Sequence, residues 1–331
     1  MENKTVDVTA LGELLIDFTG NGTDENGIEL FGANPGGAPC NVLAMLHNLG
    51  YKSAFIGKVG DDMFGNMLEG KAKAAGIDMR SLVKSKEYQT TLAFVHTFEN
   101  GDRDFSFYRK NGADAHLKVE DIDEELIKSS KVFHLGTLSM TDEDGELATK
   151  HAVKVAKEAG CLISFDPNYR EPLWESEAKA KEKIEWGLGM CDVLKISDNE
   201  ITLMTGEEDY RKGARMLKEK YNIPIVFATL GPDGSIGFAG DAEVYVKGFI
   251  NKNTIETTGA GDTFCACAIG KLLELSSHSE NWDKQTVIEA VDDGVLDRLL
   301  TYANAAASVI TTRKGALSVM PTIEEVSSIL P

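Results

Sequence analysis

Short apolar runs alternate with longer amphipathic stretches along most of the chain. Residues 6–12, 53–59, 132–136, 162–166, 193–197 and 225–230 are nearly continuous in apolar character. Runs of that kind fit strands buried on both faces. Between them lie segments whose apolar residues recur at helical spacing: 38–49, 62–75, 141–159 and 211–221. Residues three and four apart share one face of a helix. The alternation predicts an α/β fold, a three-layer arrangement with a mostly parallel sheet covered by helices on both sides.

Two stretches break this rhythm. Residues 13–34 carry β-like pieces around the turn-rich segment 20–27. Residues 90–109 read as a hairpin: Leu92, Phe94, His96 and Phe98 share a face, 99–102 form the turn, and Phe105 and Phe107 continue an apolar face. Together they predict a small β-sheet lid over about residues 13–34 and 90–110. The plainer alternative is two separate surface hairpins. There is no internal repeat or low-complexity tract, and residues 1–331 are expected to form a single domain.

Charge narrows the choice of partners. The chain has 34 Lys and Arg against 53 Asp and Glu, a formal net charge of -19. Such a surface argues against nucleic acid and anionic lipid, which need a basic stripe. An anionic substrate would need a local cluster of Arg, Lys or helix N-termini. The five cysteines, Cys40, Cys161, Cys191, Cys265 and Cys267, form no close pair, so neither a disulfide framework nor a zinc site is suggested. They read as packing thiols. No stretch reaches the roughly 18 apolar residues of a membrane span, and a cytoplasmic enzyme is expected.

The sharpest chemical feature is Glu256-Thr257-Thr258-Gly259-Ala260-Gly261-Asp262-Thr263-Phe264, followed by a segment apolar nearly all round. A helix of that kind runs through the interior. Its glycine-rich start lets a ligand approach the backbone. Free N–H groups at Ala260, Gly261 and Asp262 would add to the helix dipole and form an anion site. Asp262 is then either a helix-stabilising acid or a general base. The absence of Lys within Gly-Ala-Gly suggests that backbone carries the anion. No G-x-x-x-x-G-K-[ST] occurs, and no G-x-G-x-x-G follows the first strand.

Other candidates gather at strand ends. Asn34-Pro35-Gly36-Gly37-Ala38-Pro39-Cys40-Asn41 reads as a loop-to-helix junction, with Pro39 in the first turn. Asp17 follows an apolar run and is as readily a turn residue as a ligand. Asp166-Pro167-Asn168-Tyr169-Arg170 ends a parallel strand, the edge where open α/β sheets bind ligands. Arg109 shares the parity of Phe105 and Phe107, and is either directed under the lid or solvated. Lys195–Glu200 and Thr229–Gly234 follow two further strands.

These motifs, in this order, resemble the ribokinase-like, or PfkB, family of carbohydrate kinases. Gly57-Lys58-Val59-Gly60-Asp61-Asp62 with Gly65 adds to the match, and the motifs span almost the whole chain. The Gly-Glu-Leu-Leu-Ile-Asp start and Asp-Pro-Asn-Tyr-Arg look most like the fructokinase branch. The resemblance implies a ribokinase-like fold with a β lid, Mg2+ with ATP, and a sugar held between lid and sheet. It implies Asp262 as catalytic base and Gly259, Ala260 and Gly261 as anion hole. It puts Asp17, Gly36, Gly37, Asn41, Arg109, Asp166 and Asn168 around the sugar, and Arg170 near sugar and phosphate. Lys195, Ser197, Thr229, Gly231, Gly234 and Asn304 would line the nucleotide, and Glu200 would reach magnesium through water.

Two positions depart from the family pattern. Ser197 stands where many members have Asn. Glu256 stands where many have Asp beside a monovalent cation, which puts K+ activation in question. Fructose is the expected acceptor. The alternatives are 2-keto-3-deoxygluconate, which the pair Arg109 and Arg170 would suit, ribose or a riboside, and a catalytically silent sugar-binding regulator. A homodimer through the lid is also implied.

Overall fold

The computed structural model describes residues 4–97, 103–276 and 282–330. The strands are β1 (Val6–Leu11), β2 (Leu15–Thr23), β3 (Glu29–Gly36), β4 (Ser53–Gly60), β5 (Asp78–Ser85), β6 (Leu92–Thr97), β7 (Arg103–Tyr108), β8 (Ser130–Leu135), β9 (Leu162–Phe165), β10 (Val193–Ser197), β11 (Ile225–Thr229), β12 (Ser235–Ala239) and β13 (Ala242–Val246). The helices are α1 (Ala38–Asn48), α2 (Met63–Ala74), α3 (Glu124–Lys128), α4 (Glu143–Glu158), α5 (Glu177–Leu188), α6 (Asp198–Thr205), α7 (Tyr210–Tyr221), α8 (Ala260–Glu274), α9 (Lys284–Glu289), α10 (Asp293–Ile310) and α11 (Ile323–Ser327).

Nine strands form the main sheet in the order β13-β12-β11-β10-β9-β8-β1-β4-β5. Every neighbour pair from β11 to β5 is parallel, and β12 and β13 add an antiparallel edge. From β1 the chain first builds outward through β4 and β5, then returns to β8 on the other side. The crevice at this reversal, beyond the strands' C-terminal ends, is where such sheets bind ligands.

The buried runs divide by sheet face. One core cluster joins residues of α1, α2, α8 and α10 to the sheet, and a second joins α3, α4, α5, α6 and α7 to the opposite face. Phe55, Phe133, Phe165, Phe227 and Phe264 are fully buried, each stabilising the fold by roughly 1.5–3 kcal/mol. The sequence predicted the near-continuous burial of α8. From Thr263 to Gly270 every residue is buried, Cys265 and Cys267 included. All five cysteines are free and buried.

The second sheet has the order β3-β2-β6-β7. Strands β2 and β3 meet β6 and β7 in it, because β2 pairs in parallel with β6. Its aromatics do not continue one face, as expected, but split. Phe94 lies opposite Ser106 and Phe107 opposite Ala93. Phe107 and Val95 therefore face the cavity. Phe94 instead stacks on Phe18, with ring centroids 4.9 Å apart, and meets Phe31 and Tyr108 edge-on. Phe98 and the expected turn at 99–102 lie outside the described residues.

Candidate active site

A cavity of about 730 Å³ lies between the lid and the C-terminal edge of the main sheet. Its lining includes Asp17, Gly37, Asn41, Asn168, Arg170, Lys195, Ser197, Glu200, Glu256, Gly259, Gly261 and Asp262. The fold thus gathers residues from the lid, α1, the strand ends and the start of α8.

Helix α8 opens on Gly259, whose φ of 78° is the left-handed conformation that glycine tolerates. A methyl group there would also lie 2.8 Å from Ala316 Cβ. The expectation of three free N–H groups needs one correction. Ala260 N–H already bonds Thr257 O at 3.2 Å, and Ala260 does not line the cavity. Gly261 does line it. A cation also stands there, supplied by another strand rather than by the glycine run. A methyl group on Gly261 would lie 3.1 Å from Lys195 Nζ.

Asp262 occupies the first turn of α8, and Asn41 Nδ2 donates to its Oδ2 at 2.7 Å. Burial pushes its pKa up to about 6, and Asp166 adds to the rise, while Asn41, Lys195 and Arg170 oppose it. Asp17, on β2, is pushed up to about 7 by burial, against the pull of Arg170. Both carboxyls are therefore poised to exchange protons near neutral pH.

Asp166 departs from the expected sugar contact. It is buried, does not line the cavity, and pairs with Lys195 Nζ at 3.0 Å. Burial pulls the lysine pKa down, but Asp166 and Glu200 together outweigh it and hold it above its ordinary range. Arg109 departs further. Strand β7 ends at Tyr108, so Arg109 leaves the lid and turns into the body of the protein. Its Nε donates to Asp114 Oδ2 at 2.8 Å, its Nη2 to Leu138 O at 2.8 Å and its Nη1 to Thr141 Oγ1. It is buried and outside the cavity.

Gly36 is buried behind the wall, where a side chain would collide with the Asp17 carboxylate. Gly37, with φ 122°, brings the start of α1 against the Glu13 carbonyl. Asn168 has φ 48°, and its N–H bonds Asp166 Oδ1 at 3.2 Å. Thr229, Gly231, Gly234 and Asn304 lie outside this cavity. Thr229 is the ladder partner of Ser197, Gly231 and Gly234 shape the turn after β11, and Asn304 Nδ2 donates to Val246 O at 3.1 Å.

Ser197 caps α6, with its Oγ accepting from the Glu200 N–H. Glu200 Oε2 accepts from Ser197 N–H at 2.9 Å, and Oε1 from Tyr169 N–H at 2.8 Å. Glu256 Oε1 accepts from Gly315 N–H at 2.8 Å.

Sequence reasoning missed several lining residues, among them Glu13, Thr19 and Lys314. Glu13 had a signal, being the lone charge inside the apolar run Ala10-Leu11-Gly12-Glu13-Leu14-Leu15-Ile16. It is buried, accepts from Ala38 N–H at 2.8 Å, and burial pushes its pKa up to about 7.

Residues 6–323 match the pfkB family of carbohydrate kinases. The chain belongs to that family. It is similar to fructokinase-2 of Solanum lycopersicum, with 38% identity over 325 residues, 98% of this chain and 95% of that one. Fructokinase of Xylella fastidiosa, solved with bound ATP, has a TM-score of 0.85 and 28% identity, covering 97% of both chains. A double mutant of Vibrio cholerae O395 fructokinase, solved with fructose, ADP and potassium ion, has a TM-score of 0.80 and 27% identity, covering 100% of both chains. The ribokinase-like fold and the PfkB kinase class read from the motifs are those of these relatives.

Proposed function

We propose that this carbohydrate kinase transfers the γ-phosphoryl group of ATP to the primary hydroxyl at C6 of fructose, giving fructose 6-phosphate and ADP. The observation that carries this reading is Asp262, a carboxylate with a pKa near 6 at the start of α8, facing the cavity beneath the lid. Its carboxylate accepts the hydroxyl proton while the sugar oxygen bonds to the γ-phosphorus and the bond to the β-phosphate oxygen breaks. The α8 N-terminus and Lys195 stabilise the charge on the phosphoryl group. Asp17, Gly37, Asn41 and Asn168 hold the sugar, and Arg170 spans sugar and phosphate. Lys195, Ser197 and the strip through Thr229, Gly231, Gly234 and Asn304 hold the nucleotide.

ATP enters as its magnesium complex. Glu200 fits that ion through water, since three hydrogen-bond donors, Tyr169 N–H, Ser197 N–H and Ser197 Oγ, fix its carboxylate at the cavity wall. Held there, the ion would supply positive charge against the phosphate oxygens. Glu256 keeps one oxygen without a partner among the described residues, and K+ is the ion proposed there.

Fructose is preferred over 2-keto-3-deoxygluconate on charge. Five carboxylates face the cavity against Arg170, Lys195 and Lys314 among the described residues. Arg109, the side chain that favoured a sugar acid, is committed elsewhere. Against a silent regulator, Ser197 has a fitting role as helix cap.

Residues 1–331 are read as one kinase unit acting in the cytoplasm, where buried free thiols persist. Among the described residues, no helix is long and apolar enough to cross a membrane. The partly exposed outer face of the lid, with Phe31 and Tyr108, supports pairing with a second copy.

ADP release with Mg·ATP across fructose, 2-keto-3-deoxygluconate, ribose and a riboside tests the substrate. Fructose is expected to give the highest kcat/KM. Turnover confined to another sugar would overturn fructose and leave the chemistry standing.

A further inference from the structure

We propose that Glu13 is a positioning residue of the sugar end. Its carboxylate caps α1 from outside that helix and so holds Asn41 against Asp262. The inference rests on the kinase reading above and deepens it.

Helix α1 starts without a cap of its own. Its N-cap is Gly37, which has no side-chain oxygen, and Pro39 in its first turn has no N–H. Glu13, at the crossing from the main sheet to the lid, supplies the missing acceptor to Ala38 N–H at 2.8 Å. Above its raised pKa of about 7 the carboxylate at this end also complements the helix dipole. The two segments are in close contact. A methyl group on Gly12 would lie 2.6 Å from Pro39 Cγ, and one on Gly37 2.4 Å from Glu13 O.

The turn that Glu13 caps carries Asn41. Asn41 N–H bonds Gly37 O at 3.0 Å, and its Nδ2 donates to Asp262 Oδ2 at 2.7 Å. Its Oδ1 is buried without a partner among the described residues. No second side-chain bond therefore orients Asn41, and the placement of the first turn decides where its amide points. Losing the Asn41 bond removes an influence that lowers the Asp262 pKa. Asp17 from β2, Asp166 and Arg170 from beyond β9, and Lys195 from β10 also act on Asp262 or face the same cavity. Asp114 and Arg109 act on Glu13. A substitution at Glu13 leaves the identity of all of these unchanged.

The test is the acid limb of the kcat profile for fructose phosphorylation in wild type, Glu13→Ala, Glu13→Gln, Asn41→Ala and the double variant Glu13→Ala/Asn41→Ala. The inference expects Glu13→Ala to move the limb toward neutral pH and to lower kcat roughly tenfold near its midpoint. Asn41→Ala moves it the same way, and the double variant no further. Glu13→Gln keeps the acceptor and returns the limb to its wild-type position. If Glu13→Ala does not fold, Glu13→Asp, which keeps the charge but withdraws it from Ala38, is expected to give the same shift. An unshifted limb, or a shift that adds to that of Asn41→Ala, overturns the inference. A wild-type protein inactive on fructose overturns the kinase reading instead.

Discussion

Asp262, Asp17 and Glu13 are carboxyls that the fold holds above their ordinary range, chiefly by burial. An acid with a raised folded pKa binds its proton more tightly folded than unfolded. Its contribution to stability is complete below the ordinary pKa and is lost as pH rises through the folded one. For Asp262 that window runs from 3.8 to about 6. Asp262→Asn, which cannot ionise, is therefore expected to melt above wild type at about pH 8, by on the order of 2 °C. The difference should vanish below about pH 4. Thermal unfolding at both pH values checks this, and a lower melting temperature for the variant at the higher pH would contradict it. The residue proposed as base is thus one the fold would hold more easily without its charge.

At the scale of elements, what the sequence revealed was local. Gly259 through Asp262 are consecutive, so their turn, helix start and carboxylate could be read together. The parallel strands showed themselves as unbroken apolar runs. Contacts between distant segments were hidden, such as Asp166 with Lys195, Asn41 with Asp262, and Glu13 with Ala38. Arg109 was misread because parity along a strand holds only while the strand lasts, and β7 ends one residue earlier. Strands β12 and β13 were not anticipated. Gly237 interrupts the first of them, leaving room for Leu296 and Leu300 of α10. Glu13 could have been suspected, since an isolated charge in an apolar run needs a buried partner.

Across the whole molecule, a chain of charge -19 forms a cavity with few cations, of which Lys195 and Arg170 act on Asp262 at the start of α8. The lid closes one side of that cavity and turns its other face outward, with Phe31 46% and Tyr108 68% exposed. Aromatic faces of this kind mark association surfaces. Light scattering is expected to give about twice the chain mass of 35.9 kDa. Tyr108→Glu is expected to lower it to one chain. A wild-type monomer would contradict the lid-to-lid reading.

The central claim is that Asp262 takes the proton from the sugar hydroxyl. Its most direct test compares kcat on fructose for wild type and Asp262→Asn, with ATP binding measured on both by calorimetry. The account predicts a loss of roughly 10²–10⁴-fold in kcat, with ATP affinity nearly unchanged. A variant that keeps most of its turnover would contradict it.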